Sequence, residues 1–78
     1  MFKGYEIIKC CCVLSSYHDY TKEANLIKYA GTDSTVLDIR KWDRTPYDEP
    51  KLLKGITLSM HESKALYEAL SKVNFDEY

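Results

Sequence analysis

Arg40, Lys41 and Trp42 close the run Val36-Leu37-Asp38-Ile39-Arg40-Lys41-Trp42, which sets two cations beside the only tryptophan of the chain. A guanidinium pairs with phosphate and an indole stacks on a flat ring, so the two exposed together suit single-stranded nucleic acid. Alternation puts Leu37 and Ile39 on one face and Asp38, Arg40 and Trp42 on the other, the period of a half-buried strand. One face then meets a core and the other a ligand. The competing reading of the same residues is a solvated Asp38–Arg40 ion pair and a tryptophan that is partly core.

Further candidate contacts flank this run. Thr21 to Ala30 reads as a strand in which Ala24, Leu26 and Lys28 share one face and Asn25, Ile27 and Tyr29 the other. With Leu26 inward, Tyr29 points to the ligand, and the long stems of Lys22 and Lys28 let their ammonium groups bend round to phosphates. Lys54-Gly55 is a second basic element, its glycine permitting a bulge or close backbone approach. The expected interface is thus Lys22, Lys28, Tyr29, Arg40, Lys41, Trp42, Lys54 and Gly55. Tyr17 and Tyr20 could also stack on bases, although packing beneath their loop is the commoner use of such residues.

Other chemistry finds little support. The run Cys10-Cys11-Cys12 would, on a regular strand, send Cys10 and Cys12 to one face and Cys11 to the other, so the three cannot converge on one ion. Buried apolar thiols filling a tight sheet interior are the expectation, with no metal and no disulfide framework. His18 has no nucleophile at a recognisable spacing, and no acid–base pair stands out. We therefore expect no enzyme, no cofactor and no small-molecule substrate.

The elements that must position these residues follow from the pattern. Tyr5 to Leu14 reads as a first strand, Ser15 to Tyr20 as a loop, Thr21 to Ala30 as a second strand, and Gly31 to Ser34 as a turn into the central strand. Asp43 to Lys51, with two prolines, is an exposed connection free to act as a flap, and Leu52 to Leu58 is a fourth strand. Ser59 and Glu62 form a capping box that opens a helix, on which Leu66, Ala69, Leu70 and Val73 make one apolar stripe to cover the sheet. Residues 74 to 78 should fray. The fold expected is α+β, a four-stranded twisted antiparallel sheet followed by one C-terminal helix, in a single domain over 1–78.

With 78 residues the chain buries too little apolar surface to be comfortable alone, which favours a homodimer. A composition of 45% hydrophobic and 29% charged residues is that of an ordinary globular chain with no membrane span. The start, Met-Phe-Lys-Gly-Tyr-Glu, lacks a signal-peptide pattern, so a cytoplasmic location is expected. The net charge of -1 requires any cationic site to be local, with Asp48-Glu49 and Asp76-Glu77 lying outside it.

In this order the residues resemble a known family. Asp38-Ile39-Arg40-Lys41-Trp42, a Pro-containing connection, and Lys54-Gly55-Ile56-Thr57-Leu58-Ser59 opening a helix are similar to the C-terminal domain of the transcriptional positive cofactor four family. Glu23-Ala24-Asn25-Leu26, running on to Tyr29 and Gly31, together with Val13-Leu14-Ser15, resembles its small bacterial YdbC-like branch. The resemblance spans about residues 5 to 73. It implies a non-catalytic homodimer that lays single-stranded DNA across its sheets in transcription regulation, replication or repair. It also implies that Arg40 stands for the family's strand arginine, Trp42 for its nearby aromatic, and Lys54 with Gly55 for its basic-Gly pair. The turn Thr32-Asp33-Ser34 lacks the cations of eukaryotic members, which implies weaker or more selective binding. The alternative is a protein-interaction module on the same fold, which the acidic balance would suit.

Overall fold

A computed structural model describes residues 4–78; Met1, Phe2 and Lys3, read above for their lack of a signal pattern, lie outside the described residues. Four strands, β1 (Tyr5–Tyr17), β2 (Tyr20–Tyr29), β3 (Thr35–Asp43) and β4 (Lys51–Leu58), form an antiparallel sheet in sequence order, followed by α1 (Met60–Ser71). The α+β architecture expected from the pattern is the one observed. Ser59 caps α1 as its capping box requires: its Oγ accepts from the Glu62 amide at 3.0 Å while its own amide donates to Glu62 Oε1 at 2.9 Å.

The sheet is far from flat. Tyr5 pairs in register with Tyr29 at one end of β2, and Trp42 pairs with Thr21 near the other. Eight residues of strand separate those positions, about 26 Å at the usual rise, yet the two rings meet edge to face with centroids 6.1 Å apart. The sheet therefore curls until these corners close over the face carrying Ile27 and Asp38. β1, an edge strand, sets 13 residues against the 10 of β2. The register slips between Ile7 and Lys9, between Cys10 and Cys12, and between Val13 and Ser15, leaving Ile8, Cys11 and Leu14 as extra residues. Each bulge adds bend and twist to the strand that carries it.

These bulges overturn two expectations. Cys10 pairs with Asn25 and Cys12 with Ala24, so the two thiols project to opposite faces of the sheet. All three cysteines are exposed on the edge strand and fill no interior. Ser15 to Tyr17 belong to β1 as well, and the expected loop shrinks to His18 and Asp19, with His18 at φ 53°. The chain end also departs from fraying, since Phe75–Glu77 makes a short 3-10 turn whose N-cap Asn74 accepts from the Asp76 amide.

The curled face is the core. Ile27 and Trp42 are its buried apolar residues, Glu23, Asn25 and Asp38 are buried with them, and Ala24 is buried on the opposite face of β2. Leu26, expected to point inward, is only half-buried because the interior lies on the side of Ile27. α1 leans on β3 and β4 without burying any of its own residues, so Leu66, Leu70 and Val73 are exposed instead of sealing the sheet. Among the described residues no helix is long and apolar enough to cross a membrane.

Candidate nucleic-acid interface

The alternation read for the central strand is present, but its polar face points inward. Trp42 is 1% exposed, closed in by Tyr5 on one side and by Arg44, whose guanidinium carbon lies 4.5 Å from the indole centroid. An indole so enclosed offers no face to a base, which corrects the expectation of a Trp42 stacking platform. The reason is the curl: a flat strand would have left this face open, whereas the closed corner covers it.

Arg40 is likewise engaged. Its Nε donates to both Asp38 carboxylate oxygens at 2.8 Å, Nη2 to Oδ1 at 2.6 Å, and Nη1 to the Leu53 carbonyl at 3.0 Å. The Asp38 hydrogen bonds hold the guanidinium pKa above its ordinary value against the opposing effect of burial. The expected phosphate contact is therefore corrected to a structural tie between β3 and β4, because the fork that would grip phosphate is spent on Asp38. Gly55 serves the same tie. A Cβ on it would meet the Arg40 Cβ and come within 2.6 Å of the Ile39 carbonyl oxygen, so the close backbone approach that the sequence permits is required here.

A second ion pair, absent from the sequence reading, braces the Trp42 end of the same face. Arg44 donates from Nε and Nη2 to Glu23 at 2.8 and 2.7 Å, and Thr21 Oγ1 and Asn25 Nδ2 donate to the same carboxylate. Hydrogen bonding from Arg44, opposed by desolvation, holds the Glu23 carboxyl below its ordinary range, and Glu23 in return raises the Arg44 guanidinium. The clue to Arg44 lay in its place two residues beyond Trp42 on the same face.

The opposite face gathers a different set. Lys22 and Lys41 are direct register partners on β2 and β3, and both are exposed. Among the described residues neither has a salt-bridge partner. Lys41 Nζ sits 4.6 Å above the ring centroid of Tyr20, and Tyr17 stands opposite Tyr20 in register, its ring packed edge-on against His18 at 4.1 Å. These side chains, with Ser15 and Thr21, line an open groove of about 200 Å³ at the β1–β2 end of the sheet. Leu53 and Lys54, extra at the bulge between Leu52 and Gly55, stand across from Lys41. Asp43, the register partner of Tyr20, carries a carboxylate at this end of the sheet, and hydrogen bonds from the Thr45 hydroxyl and amide keep its pKa low.

Lys28 and Tyr29 lie at the far end of β2, lining a separate hollow of about 510 Å³ with Glu6, Ala30, Gly31, Thr32 and Asp33. Of the expected interface, then, Lys22 and Lys41 come together, Lys54 is adjacent, Lys28 and Tyr29 are distant, and Arg40, Trp42 and Gly55 belong to the framework. Compared with protein-family models, with curated proteins and with solved structures, the chain matches none. Among the described residues no group of three or more His, Cys, Asp or Glu side chains is placed to hold a metal ion.

Lys22 and Lys41 are like charges directly opposite on the sheet, and they repel modestly because both are exposed. A phosphate between them reverses the sign of the interaction. The Tyr17 and Tyr20 rings beside it supply surfaces on which unpaired bases can stack.

Proposed function

We propose that this chain is a non-catalytic single-stranded nucleic-acid binding protein that acts as a homodimer, in the manner of the positive cofactor four family it resembles. Lys22 and Lys41 take phosphate, Tyr17 and Tyr20 take bases, and Lys54 extends the cationic track on the β4 side. The observation that carries this reading is the cross-strand Lys22–Lys41 pair, without a carboxylate partner and with Lys41 laid over Tyr20. A role in transcription regulation, replication or repair is what the resemblance implies.

Support for the homodimer comes from the surface. The chain exposes 6187 Å², against about 4,900 Å² for a folded monomer of this mass. The excess of about 1,300 Å² exceeds the roughly 800 Å² that each partner buries in a standard interface. Ile56, Leu66, Leu70 and Val73 are exposed apolar side chains that a second copy could cover.

The protein-interaction reading keeps one observation in its favour, since Arg40 and Trp42 are spent on the fold. The two readings separate in a titration of labelled single-stranded DNA, duplex DNA and single-stranded RNA at several salt concentrations. Tighter binding to single strands, weakening as salt rises, supports the first. Equal affinity for duplex counts against the first, and the absence of a salt response supports the second.

A further inference from the structure

The β3–β4 connection carries a feature that the interface above leaves unused. Thr45-Pro46-Tyr47-Asp48 is a tight turn, closed by the Asp48 amide donating to the Thr45 carbonyl at 3.3 Å. Tyr47, second of its two central residues, has φ 71°. A turn with proline first and a positive φ second ordinarily takes glycine at that second place, because a Cβ there is strained. This chain sets a tyrosine there and leaves its ring fully in solvent. Packing cannot account for that choice, and backbone preference opposes it.

The position of the turn says what the ring can reach. The Arg44 amide donates to the Asp19 carbonyl at 2.7 Å, tying the foot of this loop to the β1–β2 turn between Tyr17 and Tyr20. Asp43, immediately before it, is the register partner of Tyr20. Tyr17 and Tyr20 line the groove with Lys22 and Lys41, and the Arg44–Asp19 hydrogen bond brings the foot of the loop that carries Tyr47 to the same end of the sheet. The neighbouring Asp48 carboxylate would repel a phosphate, so the part of a nucleic acid suited to Tyr47 is the uncharged base.

We propose that Tyr47 is a base-stacking residue, the tip of a loop that closes over a base of a single strand held at Tyr20 and Lys41. This rests on the single-strand reading and adds to it a second wall for the base. Because the ring carries no charge, Tyr47 adds to affinity without adding to the salt dependence.

The test measures melting temperature and affinity for a labelled oligothymidine of about 15 nucleotides on the wild type, Tyr47→Gly and Tyr47→Phe. Tyr47→Gly should melt at or above the wild type, since glycine is at ease at this φ, while binding weakens about five-fold or more with an unchanged salt slope. Tyr47→Phe keeps the ring and should bind as the wild type does. Tyr47→Asn, also tolerant of positive φ, should repeat the glycine result. Wild-type affinity in Tyr47→Gly overturns the proposal while leaving the single-strand reading standing. A Tyr47→Gly that melts well below the wild type overturns it too, because the tyrosine would then be structural. Absence of binding in the wild type itself removes the single-strand reading, and this proposal with it.

Discussion

Tyr5 and Trp42 stand beside opposite ends of β2 and nevertheless touch, their rings 6.1 Å apart and inclined at 61°. That contact closes the sheet over its polar interior and makes Trp42 a framework residue. Trp42→Ala should therefore lose about 3–5 kcal/mol of stability, the usual cost of deleting a large buried aromatic. Urea unfolding checks the loss. Oligonucleotide affinity of the still-folded fraction should be unchanged, and a well-folded Trp42→Ala that binds poorly would return the indole to the interface.

The Glu23–Arg44 pair should make stability depend on acid. Arg44 holds the folded-state carboxyl of Glu23 below its ordinary value of 4.5. A depressed folded pKa contributes stability that is complete above the unfolded value and is lost as pH falls through the folded one. Below about pH 4.5 the wild type should lose this contribution, whereas Glu23→Gln should lack it at every pH. At neutral pH the substitution should cost between the roughly 1 kcal/mol of an exposed pair and the 3–5 kcal/mol of a fully buried one, Arg44 being about a third exposed. Urea unfolding of both proteins from pH 7 downward decides it, and parallel pH curves would contradict the assignment.

Gly55→Ala should be among the most damaging single-methyl changes in the chain. Its Cβ would meet the Arg40 Cβ and the Ile39 backbone, neither of which is the yielding end of a flexible side chain. Overpacking of this kind costs about 1–3 kcal/mol or more. A thermal melt of Gly55→Ala at the wild-type temperature would show that β3 and β4 can part at no cost.

The residues show why some of this was legible in the sequence and some was not. Alternation placed Asp38, Arg40 and Trp42 on one face correctly, and the Ser59–Glu62 box announced α1, because both are local patterns. Which face is interior depends on the curl, and the curl depends on bulges at Ile8, Cys11 and Leu14 that leave no signature in residue type. The same slips turned Cys12 away from Cys10 and carried β1 on to Tyr17. The groove was missed because its parts, Tyr17, Tyr20, Lys22 and Lys41, come from three strands whose register no local pattern reveals.

A homodimer should unfold with a midpoint that rises with protein concentration, because association binds only the folded chain. Sedimentation and thermal melts across micromolar concentrations check this, and a single species of 9.1 kDa at every concentration would contradict it. Leu66→Asp and Leu70→Asp, at exposed apolar positions of α1, should shift the assembly towards monomer.

The most direct measurement is the salt dependence of single-stranded DNA binding by the wild type and by the Lys22→Ala, Lys41→Ala double variant. If each lysine neutralises one phosphate, log affinity against log salt should lose about 1.4 of its slope in the double variant, about 0.7 per contact on a single strand. The melting temperature should hold or rise, since a like-charge pair has been removed. An unchanged affinity and slope in a folded double variant would contradict the placement of nucleic acid on the Lys22–Lys41 face.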